Sequence, residues 1–230
     1  NMNKKREGVD QSLLTDKWED IMNDDEIEIV IEVMGGIEPA RTMILEALHA
    51  GKNVVTANKD LVATHGHELL EAAEESGVDF LFEAAVAGAI PIIRPLKQCL
   101  AANEIQEVIG IVNGTTNFIL TKMDKEGASF EAVLKEAQDL GYAERNPEAD
   151  VEGYDTCRKI AILTAMASGK EVNYEDISTE GITKITDVDF KYADKLGTSV
   201  KLFGTSRLDG DEVHAWVAPV MIGKDHPLYA

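Results

Sequence analysis

The sequence predicts an α/β fold in which a parallel sheet is followed by an α+β half. Up to Glu83, short β-branched runs alternate with amphipathic helical segments, the spacing of βαβ units. Those runs are apolar on both faces, as a sheet covered by helices requires. After Glu83 the rhythm changes to small residues, longer helices and late strands, which marks a second architecture.

The elements follow in order. Asn1 to Asp25 is polar and holds one basic cluster, Lys4-Lys5-Arg6. Ile27 to Val33 is a β-branched run ended by Gly35-Gly36, a buried strand entering a tight turn. Pro39 suits the first turn of a helix whose stripe is Ile44, Leu45 and Leu48, ending at Gly51. Asn53 to Thr56 is a short strand leading into Ala57-Asn58-Lys59. A second helix runs through Leu69, Leu70 and Ala73 to Gly77, and a strand from Val78 to Phe82 delivers Glu83. Ala84 to Ala89 is small and flexible, and the boundary between the halves is placed near Ala84–Ala87, giving domains 1–84 and 85–230. Pro91 is expected to open a helix through Leu96 and Leu100. Glu104 to Val112 reads as a strand capped by Asn113-Gly114. Helices are expected over Thr115 to Met123, Phe130 to Leu140, and Asp150 to Gly169, the last weakened at Gly153. Val200 to Phe203 and His214 to Ile222 read as strands joined through the Asp209-Gly210 turn.

The 230 residues are 44% hydrophobic and 28% charged, a globular mixture. With 22 Lys+Arg against 42 Asp+Glu, the net charge is −20 and the sequence pI about 4.5. Such a molecule repels phosphate backbones, which argues against a general nucleic-acid or anionic-membrane binder. Any anionic ligand must meet a local cluster of positive groups. Cys99 and Cys157 stand far apart, in no metal-ligand spacing, which fits a reducing compartment rather than a disulfide framework or zinc site. No apolar run approaches the ~18 residues that span a bilayer, and no basic-then-apolar leader opens the sequence. The expectation is a soluble, cytoplasmic protein, with both of its ends missing from the sequence.

Four places carry candidate chemistry. The Gly35-Gly36 turn admits close approach of a flat ligand, or is simply a strand-to-helix turn. Lys59 stands near a helix start, where desolvation and the helix dipole disfavour an ammonium; an exposed structural lysine is the alternative. Asp155 and Lys159 are four apart and can pair on one helix face, with Glu144 in the preceding loop and Asp150 at the helix start, where it also suits an N-cap. Lys159 borders the apolar run Ile160 to Met166, and a partly buried lysine flanked by acids fits a proton-transfer group. Glu83 can hold a hard cation with nearby carbonyls, cap the Pro91 helix region, or pair with Arg94. The dinucleotide fingerprint G-x-G-x-x-G is absent, and the order of elements favours a glycine-rich loop lying upstream of Asn1.

Taken together, Ile37-Glu38-Pro39-Ala40-Arg41, Val54 to Lys59, Glu83 to Pro91, Val112 to Asn117 and Gly141-Tyr142-Ala143-Glu144 closely resemble homoserine dehydrogenase, in order and along essentially the whole chain. The resemblance implies a partial Rossmann-type nucleotide domain, followed by a truncated catalytic and dimerisation domain. It implies interconversion of L-homoserine and L-aspartate 4-semialdehyde with NADP or NAD, on the route to threonine, methionine and isoleucine, by a homodimer. Lys159 then matches the proton donor and acceptor, and Lys59 a lysine contacting cofactor and substrate. Glu144, Asp150 and Asp155 match substrate ligands, and Gly35 and Gly141 match backbone cofactor contacts. Glu83 with the carbonyls of Val86, Gly88 and Ile90 matches a sodium site. Lys4-Lys5-Arg6 would lie where the adenosine ribose is read, favouring a 2′-phosphate, or else in a solvated loop. This piece alone is expected to bind cofactor poorly. The rival readings are a lysine-dependent reductase of another amino-acid semialdehyde and a non-catalytic binding or dimerisation module.

Overall fold

The structure, a computed structural model, describes residues 7–229, so the Lys4-Lys5-Arg6 cluster lies outside the described residues. The chain divides into two compact units, Asn1–Leu61 with His65–Phe82, and Val62–Thr64 with Glu83–Ala230.

The first unit opens with a short helix, α1 (Trp18–Met22), and builds the expected alternation: β1 (Ile29–Glu32), α2 (Ala40–His49), β2 (Asn53–Thr56), α3 (Lys59–Ser76) and β3 (Phe80–Leu81). The three strands form one parallel sheet in the order β1-β2-β3, with Val30 opposite Val54 and Val54 opposite Phe80. Ile44 and Leu48 of α2 and Leu69 of α3 are fully buried, as is Val54. β1 is shorter than the β-branched run predicts. The buried Glu32 carboxylate accepts hydrogen bonds from the N–H groups of Met34 (2.6 Å) and Gly35 (3.2 Å), which folds the chain out of the strand. At the head of α3, Asn58 Oδ1 accepts from Leu61 N at 3.2 Å, an N-cap. Gly77 closes the helix in the left-handed conformation, φ 68°.

The second unit departs more from the expectation. The helix expected from Pro91 through Leu100 contracts to a five-residue π-helical turn, Pro95–Cys99. Leu100 N reaches Pro95 O at 3.0 Å, the five-residue spacing of a π-helical turn. β4 occupies only Glu107–Gly110 of the expected Glu104–Val112 strand, where it pairs with a later strand. α4 (Gly114–Glu126) and α5 (Phe130–Asp139) start at the side-chain caps Asn113 and Ser129. The long helix expected from Asp150 is broken at Gly153, φ 83°, into α6 (Glu148–Val151) and α7 (Tyr154–Ser168).

In this unit β5 (Ser178–Thr179) and α8 (Asp187–Leu196) go beyond the expectation, as α1 does in the first. At the start of α8, Asp189 accepts from both the N–H and the hydroxyl of Thr186, each at 2.8 Å. β6 (Thr198–Asp209) and β7 (Glu212–Gly223) form a hairpin of two twelve-residue strands, longer than its hydrophobic centre suggests. The sheet order is β4-β6-β7-β5, antiparallel except for the β5–β7 pair. Gly204 of β6 lets α7 lie directly on the sheet, since a Cβ there would stand 3.1 Å from Ile160 Cβ. Among the described residues, no helix is long and apolar enough to cross a membrane. The fold class is therefore the one expected: a parallel α/β half and an α+β half.

Candidate functional site

In the second unit, α7 carries Asp155 and Lys159 one turn apart, and both are turned inward. Lys159 Nζ lies 2.6 Å from Asp155 Oδ2 and 2.8 Å from the carbonyl oxygen of Val112, just beyond β4. The side chains of Lys159 and Asp155 are 17% and 9% exposed. An ammonium has three N–H donors, and these two partners take two of them, leaving one direction for a third acceptor. The lysine is thus held rather than swinging in solvent.

Asp150 reaches the same cluster from α6. It is not the N-cap of a long helix, because Pro147 occupies that position before α6 and Gly153 separates α6 from α7. Asn113 joins the two acids: its Nδ2 donates to Asp150 Oδ1 at 2.7 Å and to Asp155 Oδ2 at 2.8 Å. The β4–α4 junction, α6 and α7 therefore converge on one polar cluster. In the sequence Asn113 is legible only as a cap, and the helix start that follows it is the available signal.

Gly141 ends α5 in the left-handed conformation, φ 77°, and Tyr142 N reaches back to Ala137 O at 2.8 Å. Thr115 Oγ1 donates to Tyr142 O at 2.7 Å, which ties this loop to the first turn of α4, next to Asn113. Glu144 follows, its carbonyl accepting from Gln138 Nε2 at 3.0 Å. Its side chain stays at the exposed surface, and among the described residues no hydrogen bond joins its carboxylate to the Asp150–Asn113–Asp155 cluster.

In the first unit, Gly35 and Lys59 come together at the C-terminal ends of the parallel strands, the edge where open α/β sheets bind ligands. Gly35 and Gly36 both hold positive φ, 79° and 76°, with open space where a Cβ would stand. Asn58 Nδ2 donates to Gly36 O at 2.6 Å, and Glu32 Oε2 accepts from Thr56 Oγ1 at 2.6 Å, so the turn is pinned to β2. Lys59 is the half-buried first residue of α3. A bare, fixed backbone turn beside a lysine and a helix N-terminus fits part of an anionic dinucleotide.

Glu83 caps the turn that follows it. Oε1 accepts from Ile92 N (2.6 Å) and Ile93 N (2.9 Å), and Oε2 from Arg94 N (2.8 Å). Desolvation pushes its carboxyl upward, but the three N–H groups outweigh that and hold it below the ordinary value. Between Val86, Gly88 and Ile90 stand Ala87 and Ala89, both left-handed at φ 52° and 66°, an uncommon conformation for residues bearing a Cβ. A carboxylate accepts about four hydrogen bonds, so Glu83 retains capacity for one more partner. A hard cation there would need the carbonyls of Val86, Gly88 and Ile90 beside Glu83 as oxygen donors.

Comparison with known proteins gives a consistent result. The family model described as "Homoserine dehydrogenase" matches residues 91–230, and that described as "Homoserine dehydrogenase, NAD binding domain" matches residues 1–83. Homoserine dehydrogenase of Bacillus subtilis is 47% identical over 100% of this chain and 53% of its own length. That of Synechocystis is 50% identical over 94% of this chain and 51% of its own. The chain thus spans about half the length of the curated relatives it matches. Among solved structures, a homoserine dehydrogenase from Thiobacillus denitrificans superimposes with a TM-score of 0.90 at 47% identity, covering 94% of this chain and 50% of that one. A hyperthermophilic archaeal homoserine dehydrogenase in complex with NADPH gives 0.80 at 28% identity, covering 96% of this chain and 66% of that one.

Proposed function

The chain belongs to the homoserine dehydrogenase family, and on that premise we propose that the protein interconverts L-homoserine and L-aspartate 4-semialdehyde with NADP or NAD. The observation that carries the reading is the anchored ammonium of Lys159, 2.6 Å from Asp155 and 2.8 Å from the Val112 carbonyl. Oxidising an alcohol requires a group that takes the hydroxyl proton; reducing the aldehyde requires one that returns it. Lys159 holds and releases that proton at the substrate oxygen. The carbonyl of Val112 and the carboxylate of Asp155 fix its direction. Asp150, Asp155 and, from its exposed loop, Glu144 receive the ammonium and hydroxyl groups of the amino acid. Acids suit that task because the substrate end they meet is cationic.

When bound, the nicotinamide supplies the hydride acceptor or donor. The residues that would hold the dinucleotide are Gly35 and Gly141 through their backbone and Lys59 through its side chain, with residues 1–84 as the nucleotide domain and 85–230 as the catalytic and dimerisation domain. Lys59 in this reading also contacts the substrate. The left-handed Ala87 and Ala89 support a sodium ion on Glu83 and the carbonyls of Val86, Gly88 and Ile90, a structural ion remote from the reacting carbon. The whole reading extends to a cytoplasmic homodimer serving threonine, methionine and isoleucine synthesis.

The test is homoserine oxidation by the full-length protein, followed by nicotinamide absorbance, against a panel of other amino-acid semialdehydes. Preference for homoserine and its semialdehyde is expected. Equal or better turnover of another semialdehyde, or no turnover of any, contradicts the proposal. Replacing sodium by lithium should lower activity, and indifference to that exchange removes the ion from the reading.

A further inference from the structure

Asn113 uses more of its side chain than a helix cap needs. It is 5% exposed. Its Oδ1 accepts from Thr116 N at 2.8 Å and from Thr116 Oγ1 at 3.0 Å, which starts α4. For that purpose Ser, Thr or Asp serves about as well. Only an amide adds two N–H donors on the far side of the same group, and here they go to Asp150 Oδ1 and Asp155 Oδ2. The two carboxylates come from different helices and would otherwise face each other across a partly buried space, where like charges repel. A neutral double donor between them bonds to both and fixes their separation. The same Asp155 oxygen also receives Lys159 Nζ, and Lys159 is held in turn by the carbonyl of Val112, the residue preceding Asn113.

We infer that Asn113 is a positioning residue of the active site: its amide NH2 sets the spacing of Asp150 and Asp155 for the substrate's cationic group and, through Asp155, orients Lys159. The inference rests on the proposed reaction. Its test separates capping from positioning. Asn113→Asp keeps the capping oxygen but sets a third carboxylate against Asp150 and Asp155, so the full-length variant is expected to fold with a lowered thermal unfolding midpoint and is assayed below it. Its kcat/KM for homoserine should fall at least about tenfold, chiefly through a raised homoserine KM, with the cofactor KM unchanged. Asn113→Ser, which also caps, should show the same split and serves if the aspartate variant does not fold. Wild-type homoserine KM in a folded variant overturns the inference, because a purely structural cap moves stability and not that constant. Lys159→Ala, measured alongside, distinguishes the two levels. If it abolishes turnover while Asn113→Asp behaves as wild type, the positioning role alone fails; if it leaves turnover intact, the reaction assignment fails and the inference falls with it.

Discussion

Lys159 Nζ and Asp155 Oδ2 lie 2.6 Å apart on consecutive turns of α7, in a pair whose outer face is only 17% open on the lysine side. An i,i+4 pair on an exposed helix contributes a few tenths of a kcal/mol and costs little to break. This one is different in kind, because Asn113 holds the carboxylate and the Val112 carbonyl holds the ammonium. Removing the carboxylate leaves an uncompensated, partly buried cation. The pair serves placement of the ammonium, and its neighbours determine how well that placement is kept.

Gly181 supports that placement from behind. A Cβ on it would stand 2.2 Å from Val151 O and 2.4 Å from Glu152 Cα, at the joint between α6 and α7. Backbone atoms on both sides cannot yield as a flexible side chain would. Gly181→Ala is expected to destabilise the fold by about 1–3 kcal/mol, read as a lower midpoint in denaturant. The displaced α6 should also raise the homoserine KM through Asp150. Unchanged stability would show that the joint relaxes freely.

Glu83 links the fold to acid pH. Burial works against its charge, yet the N–H groups of Arg94, Ile92 and Ile93 hold the folded carboxyl below its ordinary value. Stabilisation from a depressed carboxyl is fully present above the ordinary carboxylate range and is lost as pH falls through the folded value. The stability difference between wild type and Glu83→Gln should therefore be largest near neutrality and shrink on acidification. Parallel denaturation curves across pH check this; a difference that grows in acid contradicts it.

Lys201 shares that pH slope, but its charged form at neutral pH costs stability instead of adding it. It is 4% exposed on β6, its Nζ meeting Asn117 Oδ1 only at 3.5 Å. Burial lowers its pKa, and Asp124 opposes that incompletely. With the folded value below the unfolded one, the unfolded chain binds the proton more tightly, and stability rises with pH through the window between the two. Lys201→Met should raise the unfolding midpoint at neutral pH and abolish the alkaline rise. A lower midpoint would mean that the ammonium is better satisfied than its contacts indicate.

Much of the first unit is legible in the sequence because its signals are local. Asn58 caps α3, Gly77 closes it, and Val54 sits in a run that reads only as a buried strand. The second unit is less so, because its boundaries depend on distant partners. The sequence offers Glu83 as one possible cap near Pro91, but not that its carboxylate takes the N–H groups of Ile92, Ile93 and Arg94 together. Gly153 is a visible weak point, but the complete break depends on its packing against Thr179 and Val217. Thr186 and Asp189 do form a readable cap signal for α8, a helix absent from the expected elements. At the site, the Asp155–Lys159 spacing is readable from helical periodicity. The contribution of Asn113 is not, since it joins Asp150 and Asp155 from 37 and 42 residues away.

The most direct measurement is the turnover number of Lys159→Ala in the full-length protein, with cofactor affinity determined on the same sample by fluorescence titration. Turnover should fall by far more than about tenfold, a barrier increase well above ~1.4 kcal/mol, while NADPH binds as it does to wild type. Turnover within tenfold of wild type, with the variant folded and saturated, would contradict Lys159 as the proton-transfer group.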